Sequence, residues 1–379
     1  MAKAILKLFL IFASRIPFLK AFQTPPNHRM KSADKHHRNG SMRDSRATIM
    51  DVARDAGVSK TSVSRYLSGE FKVLSDDIRQ RIEASIARLG YRPSQMARGL
   101  KGGRTRLIGL VVADVMNPYS VAILHGAEAV CQQHGYTLML CNTGNDEARE
   151  KQALTMLRSY DVEGLIVHSQ GRPSRFMYDL LESNLPVVLV DRRVSGIEVD
   201  LVGLDNRQAG RAATVHLIER GFTDILYVTQ PIRAVSSREE RHTAFLETLA
   251  ARPDCRGETL ELAALEGDAA LDHALAAFMS RAGTQRKALL AASGVVTLQL
   301  VLALRRLGLT VPQQVGLLGF DELSWSKLVE PGISTLAQPT DEIGFQAATR
   351  LLERIATPGH DHHELLLPGT LIVRGSTSA

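Results

Sequence analysis

The stretch that most constrains this chain runs from Thr48 to Leu67, T-I-M-D-V-A-R-D-A-G-V-S-K-T-S-V-S-R-Y-L. Its spacing predicts two short helices joined by a tight corner. Thr48 heads the first helix, and Asp51 three residues on supplies the reciprocal half of a capping box. Ile49, Val52, Ala53 and Ala56 then share one face at helical spacing. Gly57 allows the left-handed corner that a residue with a Cβ resists, and Val58 plugs the gap beneath it. Ser59 heads the second helix, which turns Val63 and Leu67 inward and Lys60, Thr61, Ser62, Ser64 and Arg65 outward. An outer face made only of hydrogen-bonding and cationic groups suits a DNA major groove. At this point an ordinary helical hairpin with a solvated face fits the residues as well.

The charge distribution favours the first reading. The net charge of the 379 residues is +6, but residues 1–42 carry +7, residues 43–106 carry +7 and the remainder sums to −8. A basic head on an acidic body fits a small nucleic-acid-binding unit joined to something that does not touch phosphates. The length calls for two or three domains. The three cysteines, Cys131, Cys141 and Cys255, form no C-x-x-C pair, so idle thiols in a reducing compartment are expected rather than disulfides or metal ligands.

The start, M-A-K-A-I-L-K-L-F-L-I-F-A-S, has the basic-then-apolar profile of a secretory signal. Its apolar run is broken by Lys7 and is too short to span a bilayer. Export would remove a DNA-reading head from DNA. The expectation is therefore that translation begins at Met42 or Met30, and that residues 1–46 are a disordered basic tail.

Residues 47–93 read as a three-helix head. Its third helix is capped by Ser75, buries Ile78, Ile82, Ile86 and Leu89, and stops at Gly90. Residues 94–106 follow as a hinge and linker. Ser94 caps a weak helix in which Met96, Ala97 and Leu100 share a face and Gly102-Gly103 end it. Such a helix gains order only on DNA, where Leu100 would wedge between base steps of the minor groove.

From Leu107 to the end, buried apolar runs alternate with helices: L-I-G-L-V-V-A, Y-T-L-M-L-C, G-L-I-V-H, P-V-V-L-V-D, I-L-Y-V-T, A-L-L-A-A and V-G-L-L-G-F-D. Two βαβ halves predict two parallel-sheet lobes with a cleft between them. Ligands in such folds sit beyond the carboxyl ends of the strands. The polar residues there are Asp114, Asn117, Tyr119, Ser169, Asp191, Arg192, Asp205, Asn206, Ser293 and Asp321, of which Asp205 and Asn206 read as helix caps. There is no nucleotide-phosphate loop and no supported catalytic arrangement, so neither a cofactor nor an enzyme is expected. H-D-H-H at His360–His363 reads as a solvated turn rather than a metal site. Trp325, just past G-F-D-E, is expected to line the cleft or pack on the seam between the lobes.

The order T-I-M-D-V-A-R-D-A-G-V-S-K-T-S-V-S-R-Y-L-S-G, V-L-S-D-D-I-R-Q-R-I, L-G-Y-R-P-S-Q-M-A-R-G-L, R-T-R-L-I-G-L-V-V-A-D-V-M-N-P-Y, V-D-R-R, D-N-R-Q-A-G, G-L-L-G-F-D-E-L and I-V-R-G-S-T resembles the lactose-repressor (LacI/GalR) family of bacterial transcription regulators. The likeness covers roughly residues 47–377. It implies a helix-turn-helix head with a hinge helix, followed by a two-lobed sensor like periplasmic sugar-binding proteins. It places Lys60, Thr61 and Arg65 on base edges and Ser59, Ser62 and Ser64 mainly on phosphates. Ala97 and Leu100, with Arg98 between them, match the pair that opens the minor groove. It further implies that Tyr119, Asp191, Arg241 and Asp321 line the effector site. Lobe 1 would comprise about 107–205 and 338–367, and lobe 2 about 206–337 and 368–379.

One departure bears on the ligand. The family's usual A-N-D is here Ala292-Ser293-Gly294, while Arg192 adds a cation beside Asp191. Two arginines with fewer acids point to an anionic effector gripped through paired hydrogen bonds. The chain most resembles the family's gluconate and 2-ketogluconate repressors, so 2-ketogluconate is the first expectation. The expected partners are a palindromic operator duplex, a sugar-acid effector and a second copy of the chain in the cytoplasm, with no membrane. The rivals are a regulator whose DNA binding is tightened by its effector, a neutral-sugar pocket, and an exported solute-binding protein.

Overall fold

The computed structural model describes residues 47–92, 104–169, 171, 178, 183–262, 267–283, 285–359 and 361–378. The chain divides into two units, Met1–Arg92 and Pro93–Ala379. In the first, α1 (Ile49–Asp55), α2 (Lys60–Leu67) and α3 (Asp76–Leu89) are the helices the spacing predicts. The capping box at α1 is complete. The Thr48 hydroxyl accepts from the Asp51 N–H at 3.3 Å, and the Asp51 carboxylate accepts from the Thr48 N–H at 2.9 Å. Ser59 and Ser75 cap α2 and α3 by accepting from Ser62 N at 3.1 Å and Ile78 N at 3.4 Å. Gly57 turns the corner with φ +63°.

Val52, Ala53, Ala56, Val63 and Ile82 are the buried centre of this head, with Ile49, Val58, Leu67, Ile78, Ile86 and Leu89 packed around them. So few apolar groups make a thin core, and a polar tie the pattern did not reveal reinforces it. Ser85 of α3 is fully buried and donates to Asp55 Oδ2 at 2.6 Å, while Arg88 pairs with the same carboxylate. Between α2 and α3 the chain makes a 3₁₀ turn, Phe71–Val73.

In the second unit, β1 (Leu107–Val112), β2 (Thr137–Asn142), β3 (Gly164–Val167), β4 (Val187–Val190), β5 (Asp200–Leu204) and β11 (Glu364–Leu367) form one parallel sheet in the order β11-β5-β4-β3-β1-β2. A second sheet joins β6 (Phe222–Thr229), β7 (Arg256–Glu261), β8 (Arg286–Ala291), β9 (Gly316–Phe320), β10 (Ser334–Ala337) and β12 (Thr370–Ile372) in the order β12-β10-β9-β8-β6-β7. It is parallel except for β12, which runs antiparallel to β10, so the expectation of two purely parallel lobes is corrected there. The first five strands belong to the first sheet and the next five to the second, with β11 returning to the first and β12 to the second, so the chain passes between lobes after β5, β10 and β11.

Continuous apolar strands are needed because both faces of each sheet are covered. Along β1, Ile108, Leu110 and Val112 enter one core while Val111 enters the other. Along β6, Ile225 and Tyr227 face one way and Leu226 and Val228 the other. The covering helices are α4 (Pro118–Gln133), α5 (Glu147–Ser159), α6 (Asn206–Glu219), α7 (Ser236–Ala250), α8 (Gly267–Met279), α9 (Gly294–Arg306) and α10 (Thr340–Ala356). Helices α4 and α10 touch backbone to backbone. A Cβ on Gly126 would lie 1.9 Å from the Asp341 carbonyl oxygen, and one on Gly344 would lie 2.2 Å from that of Ile123.

Two expectations fail here. Strand β7, R-G-E-T-L-E, escaped the apolar pattern because it is an edge strand with mostly exposed or half-exposed side chains. Trp325 neither lines the cleft nor sits on the interlobe seam; it packs against the second sheet's own core with Leu271, Leu275 and Leu300.

Candidate functional site

Helix α2 exposes Lys60, Thr61 and Arg65, with Ser62 and Ser64 half-buried. The Ser59 hydroxyl is engaged locally, accepting from Ser62 N and lying 3.0 Å from Ser62 Oγ. The head's ion pairs are Arg54–Asp51, Arg79–Asp76, Arg81–Asp77 and Arg88–Asp55. These pairs engage Asp51, Asp55, Asp76 and Asp77, and among the described residues no ion pair involves Lys60 or Arg65. The cations of α2 therefore stand without carboxylates, as a phosphate- or base-seeking face requires. Ala97, Arg98 and Leu100 lie outside the described residues.

In the second unit the carboxyl ends of the two sheets enclose a cavity of about 120 Å³. It is lined by Tyr119, Asp191, Arg192, Arg241, Ser293 and Asp321, all six effector-site expectations, together with residues the sequence reading passed over. Its size admits a small metabolite rather than a drug-sized ligand, which takes some 300–1,000 Å³.

Arg241 rises from α7 and is buried. Its Nε donates to Asn206 Oδ1 at 2.7 Å, Nη1 to the Ala292 carbonyl at 2.8 Å and Nη2 to Gln338 Oε1 at 3.3 Å. Its guanidinium lies 4.5 Å from the Phe320 ring centroid. Asp321 follows β9 in a left-handed conformation, φ +68°. It accepts from Gly294 N at 2.8 Å and from Gln338 Nε2 at 2.6 Å. The first of these caps α9, and a Cβ on Gly294 would lie 3.0 Å from Asp321 Oδ2 and from Leu323, tight enough to press on this bond. Ser293 is the N-cap of that helix.

Across the cavity, Asp191 ends β4, also left-handed at φ +66°. Its Oδ2 lies 3.1 Å from His168 Nε2 and 3.3 Å from Arg192 Nε. The second contact is an ion pair without hydrogen-bond alignment, for Arg192 Nε is left unpaired. Burial by itself would push the Asp191 carboxyl up, but the His168 hydrogen bond and the Arg192 and Arg241 charges hold it well below the usual carboxylate range. Burial lowers the His168 pKa, with Arg192 adding to the effect, so the ring is neutral. An ionised Asp191 only accepts, which puts the ring proton on Nε2 and leaves Nδ1 a bare acceptor. That Nδ1, the Tyr119 hydroxyl and the Ser120 hydroxyl are buried with no hydrogen-bond partner.

Residues 48–94 match the profile described as "Bacterial regulatory proteins, lacI family", and residues 214–377 that of a "Periplasmic binding protein-like domain". The HTH-type transcriptional regulator PtxS of Pseudomonas aeruginosa strain PAO1 is 49% identical over 342 residues, covering 89% of this chain and 98% of its own. The chain belongs to the LacI family. Among solved structures, the lac repressor dimer bound to operator and the anti-inducer ONPF matches with a TM-score of 0.75 at 22% identity, over 88% of this chain and 100% of that one. The transcriptional regulator CelR in complex with cellobiose matches with a TM-score of 0.63 at 26% identity, over 87% of this chain and 100% of that one. This LacI-family chain is thus a DNA-binding transcription regulator and not an enzyme.

Several lining residues of this regulator went unread in its sequence. Arg238 stands one turn before Arg241 on α7, and that three-residue spacing was the available signal. Burial, then the charges of Arg192 and Arg241, push its pKa down to about 10, with Asp191 opposing. His168 directly follows β3, one position before the Ser169 that the strand-end rule selected. Ser169 itself turns away, its hydroxyl donating to Glu150 Oε1 at 3.2 Å. Gln338 comes from the second crossing between lobes, which no local pattern marks. Asp205 caps α6 by accepting from Gln208 N at 2.9 Å, as read. Asn206 is a correction: rather than simply capping, its side chain buttresses Arg241.

Proposed function

We propose that this regulator is a cytoplasmic homodimeric repressor released from a palindromic operator by a sugar acid, with 2-ketogluconate the first choice and gluconate the second. The observation that carries the ligand class is the convergence of Arg192, Arg238 and Arg241 on one small cavity. The cavity's acids are already engaged: Asp114 with Met116 N, Asp191 with His168, and Asp321 with Gly294 N. Burial first, and then the Arg192 and Arg241 charges, depress the Arg238 pKa, and a bound carboxylate would offset both. The unpaired His168 Nδ1, Tyr119 hydroxyl and Ser120 hydroxyl suit sugar hydroxyls. The cellobiose held by CelR supports a carbohydrate-like ligand.

In the head, Arg65 reads guanine through O6 and N7, Lys60 and Thr61 reach neighbouring bases, and Ser59, Ser62 and Ser64 steady the helix on phosphates. Ala97, Arg98 and Leu100 open the minor groove. Effector draws the lobes together and shifts one against the other across the dimer, moving the paired hinges off the groove. Among the described residues no helix is long and apolar enough to cross a membrane.

The test is calorimetric titration of 2-ketogluconate, gluconate and glucose, with binding to a symmetric duplex selected from a random pool measured alongside. Heat from the acids but not glucose, and release of the duplex by the same acids, is expected. A neutral sugar binding more tightly, or an acid that tightens the duplex complex, would overturn the ligand class or the sign of the response.

A further inference from the structure

The body's first described residues, Arg104–Arg106, are fastened to lobe 1 around a single carboxylate. Glu163, just before β3, accepts from Arg104 Nε at 2.9 Å and the Tyr136 hydroxyl at 3.0 Å on Oε2, and from Arg106 N at 2.8 Å on Oε1. Arg104 Nη2 closes the ring by donating to the Tyr136 hydroxyl at 2.8 Å. The Arg106 guanidinium covers the Tyr136 ring at 5.0 Å. Thr105, buried between them, donates to the Asp161 carbonyl at 2.7 Å. Arg106 is left-handed, φ +55°, a conformation that costs a non-glycine residue energy and persists only where its surroundings enforce it.

Two features make this more than a strand terminus. The Glu163 side chain is only 13% exposed, yet it does not line the effector cavity; its hydrogen-bond partners all belong to the segment entering the body or to the strand starts beside it. Among the described residues, moreover, no hydrogen bond or ion pair of Arg104, Thr105 or Arg106 reaches the second sheet. By these bonds Arg104–Arg106 are tied to lobe 1. A displacement of lobe 1 against lobe 2 is therefore passed to these three residues.

We propose that Glu163 is the coupling residue of this regulator: it clasps the linker to lobe 1 so that closing the effector cleft is felt by the DNA-reading head, without itself touching ligand or DNA. This rests on the reading that a sugar acid closes the cleft and releases the operator. Removing the carboxylate frees Arg104 and Tyr136, relaxes Arg106, and lets the linker slip while the lobes move.

The experiment uses the full chain and the variants Glu163→Ala and, as the change least disturbing to folding, Glu163→Gln. Affinity for 2-ketogluconate is read by calorimetry. The coupling is read as the factor by which 2-ketogluconate changes affinity for a duplex selected by the wild-type protein. Glu163→Ala should bind 2-ketogluconate within about twofold of wild type while that factor falls at least about tenfold, with Glu163→Gln in between. A wild-type factor in Glu163→Ala, or equal loss of ligand binding and coupling, would overturn the proposal. If wild-type protein ignores 2-ketogluconate, the effector reading has failed and the clasp is judged by duplex affinity alone. There Glu163→Ala should bind at least about fivefold more weakly, and unchanged affinity would overturn it.

Discussion

Arg241 is held on three sides by Asn206, the Ala292 carbonyl and Gln338, so its fork is aimed before any ligand arrives. A lysine at this position has one charged point and cannot satisfy three acceptors lying in different directions. Arg241→Ala and Arg241→Lys should both weaken 2-ketogluconate binding by about 10- to 150-fold, the worth of a hydrogen bond to a charged group, and abolish release of the duplex. Calorimetry beside a duplex titration checks both. The buried histidines set a pH dependence. Burial lowers the pKa of His168, His216 and His242. In the unfolded chain each takes up a proton near pH 6.5, but the fold resists it. The unfolded state therefore binds more protons below that pH, and the stability held above it is lost as pH falls toward the folded values. Asp191, also depressed, gives its full contribution above about pH 4 and loses it progressively as the pH falls from there toward its folded value. Thermal unfolding of wild type should thus shift downward between pH 7.5 and pH 5, and His168→Gln should flatten that shift. An unchanged slope would refute the neutral-ring assignment.

Helix α2 works only as a rigid presenter, and its rigidity comes from its caps and from α3 beneath it. Arg65→Ala leaves both intact, so it should cost about 1–3 kcal/mol of operator affinity and relax selectivity at one base pair. Duplex selection repeated with the variant would display that position. Gly57→Val, by contrast, forces a β-branched residue to φ +63° at a cost of roughly 1–2 kcal/mol, which a thin core tolerates poorly. In the body the closest helix contact is that of α4 with α10. Gly126→Ala drives a Cβ into the Asp341 carbonyl, a backbone atom that cannot rotate away. Overpacking of this kind costs about 1–3 kcal/mol, and a lower melting temperature with unchanged duplex selectivity is expected. Wild-type stability in that variant would mean the two helices can part freely.

For the molecule as a whole, a two-fold symmetric operator asks for two heads, and α9 offers a surface for pairing. Leu298 and Leu302, one helical turn apart, leave 42% and 45% of their area exposed. Such a stripe on a regulator is better explained by a second copy than by solvent. Leu298→Asp with Leu302→Asp should convert the dimer to monomer in sedimentation, lower duplex affinity by at least about a hundredfold through loss of the second head, and leave 2-ketogluconate binding intact. A doubly substituted protein that still sediments as a dimer would remove α9 from the interface.

Local physics made the head legible from its residues. Capping boxes, a glycine corner and 3.6-residue periodicity act over three or four positions, so Thr48, Gly57, Ser59 and Ser75 declare themselves in a single chain. The apolar runs of β1, β3, β4, β6, β8 and β9 declare themselves too, because a strand covered on both faces has no polar alternation to hide behind. The exposed edge strand β7, the antiparallel β12 and the short strands β5, β10 and β11 did not, since they are brief or polar and their identity depends on which neighbour accepts their hydrogen bonds. The six expected cavity residues could be named because strand ends and family motifs both point to them. That Arg238, His168 and Gln338 join them, that Asn206 serves Arg241, and that Glu163 gathers Arg104, Arg106 and Tyr136 was decided by tertiary structure. Those groups come from different elements; for the cavity residues the meeting of two sheets, and for the Glu163 cluster the pairing of β1 with β2 and β3, brings them within a few ångströms.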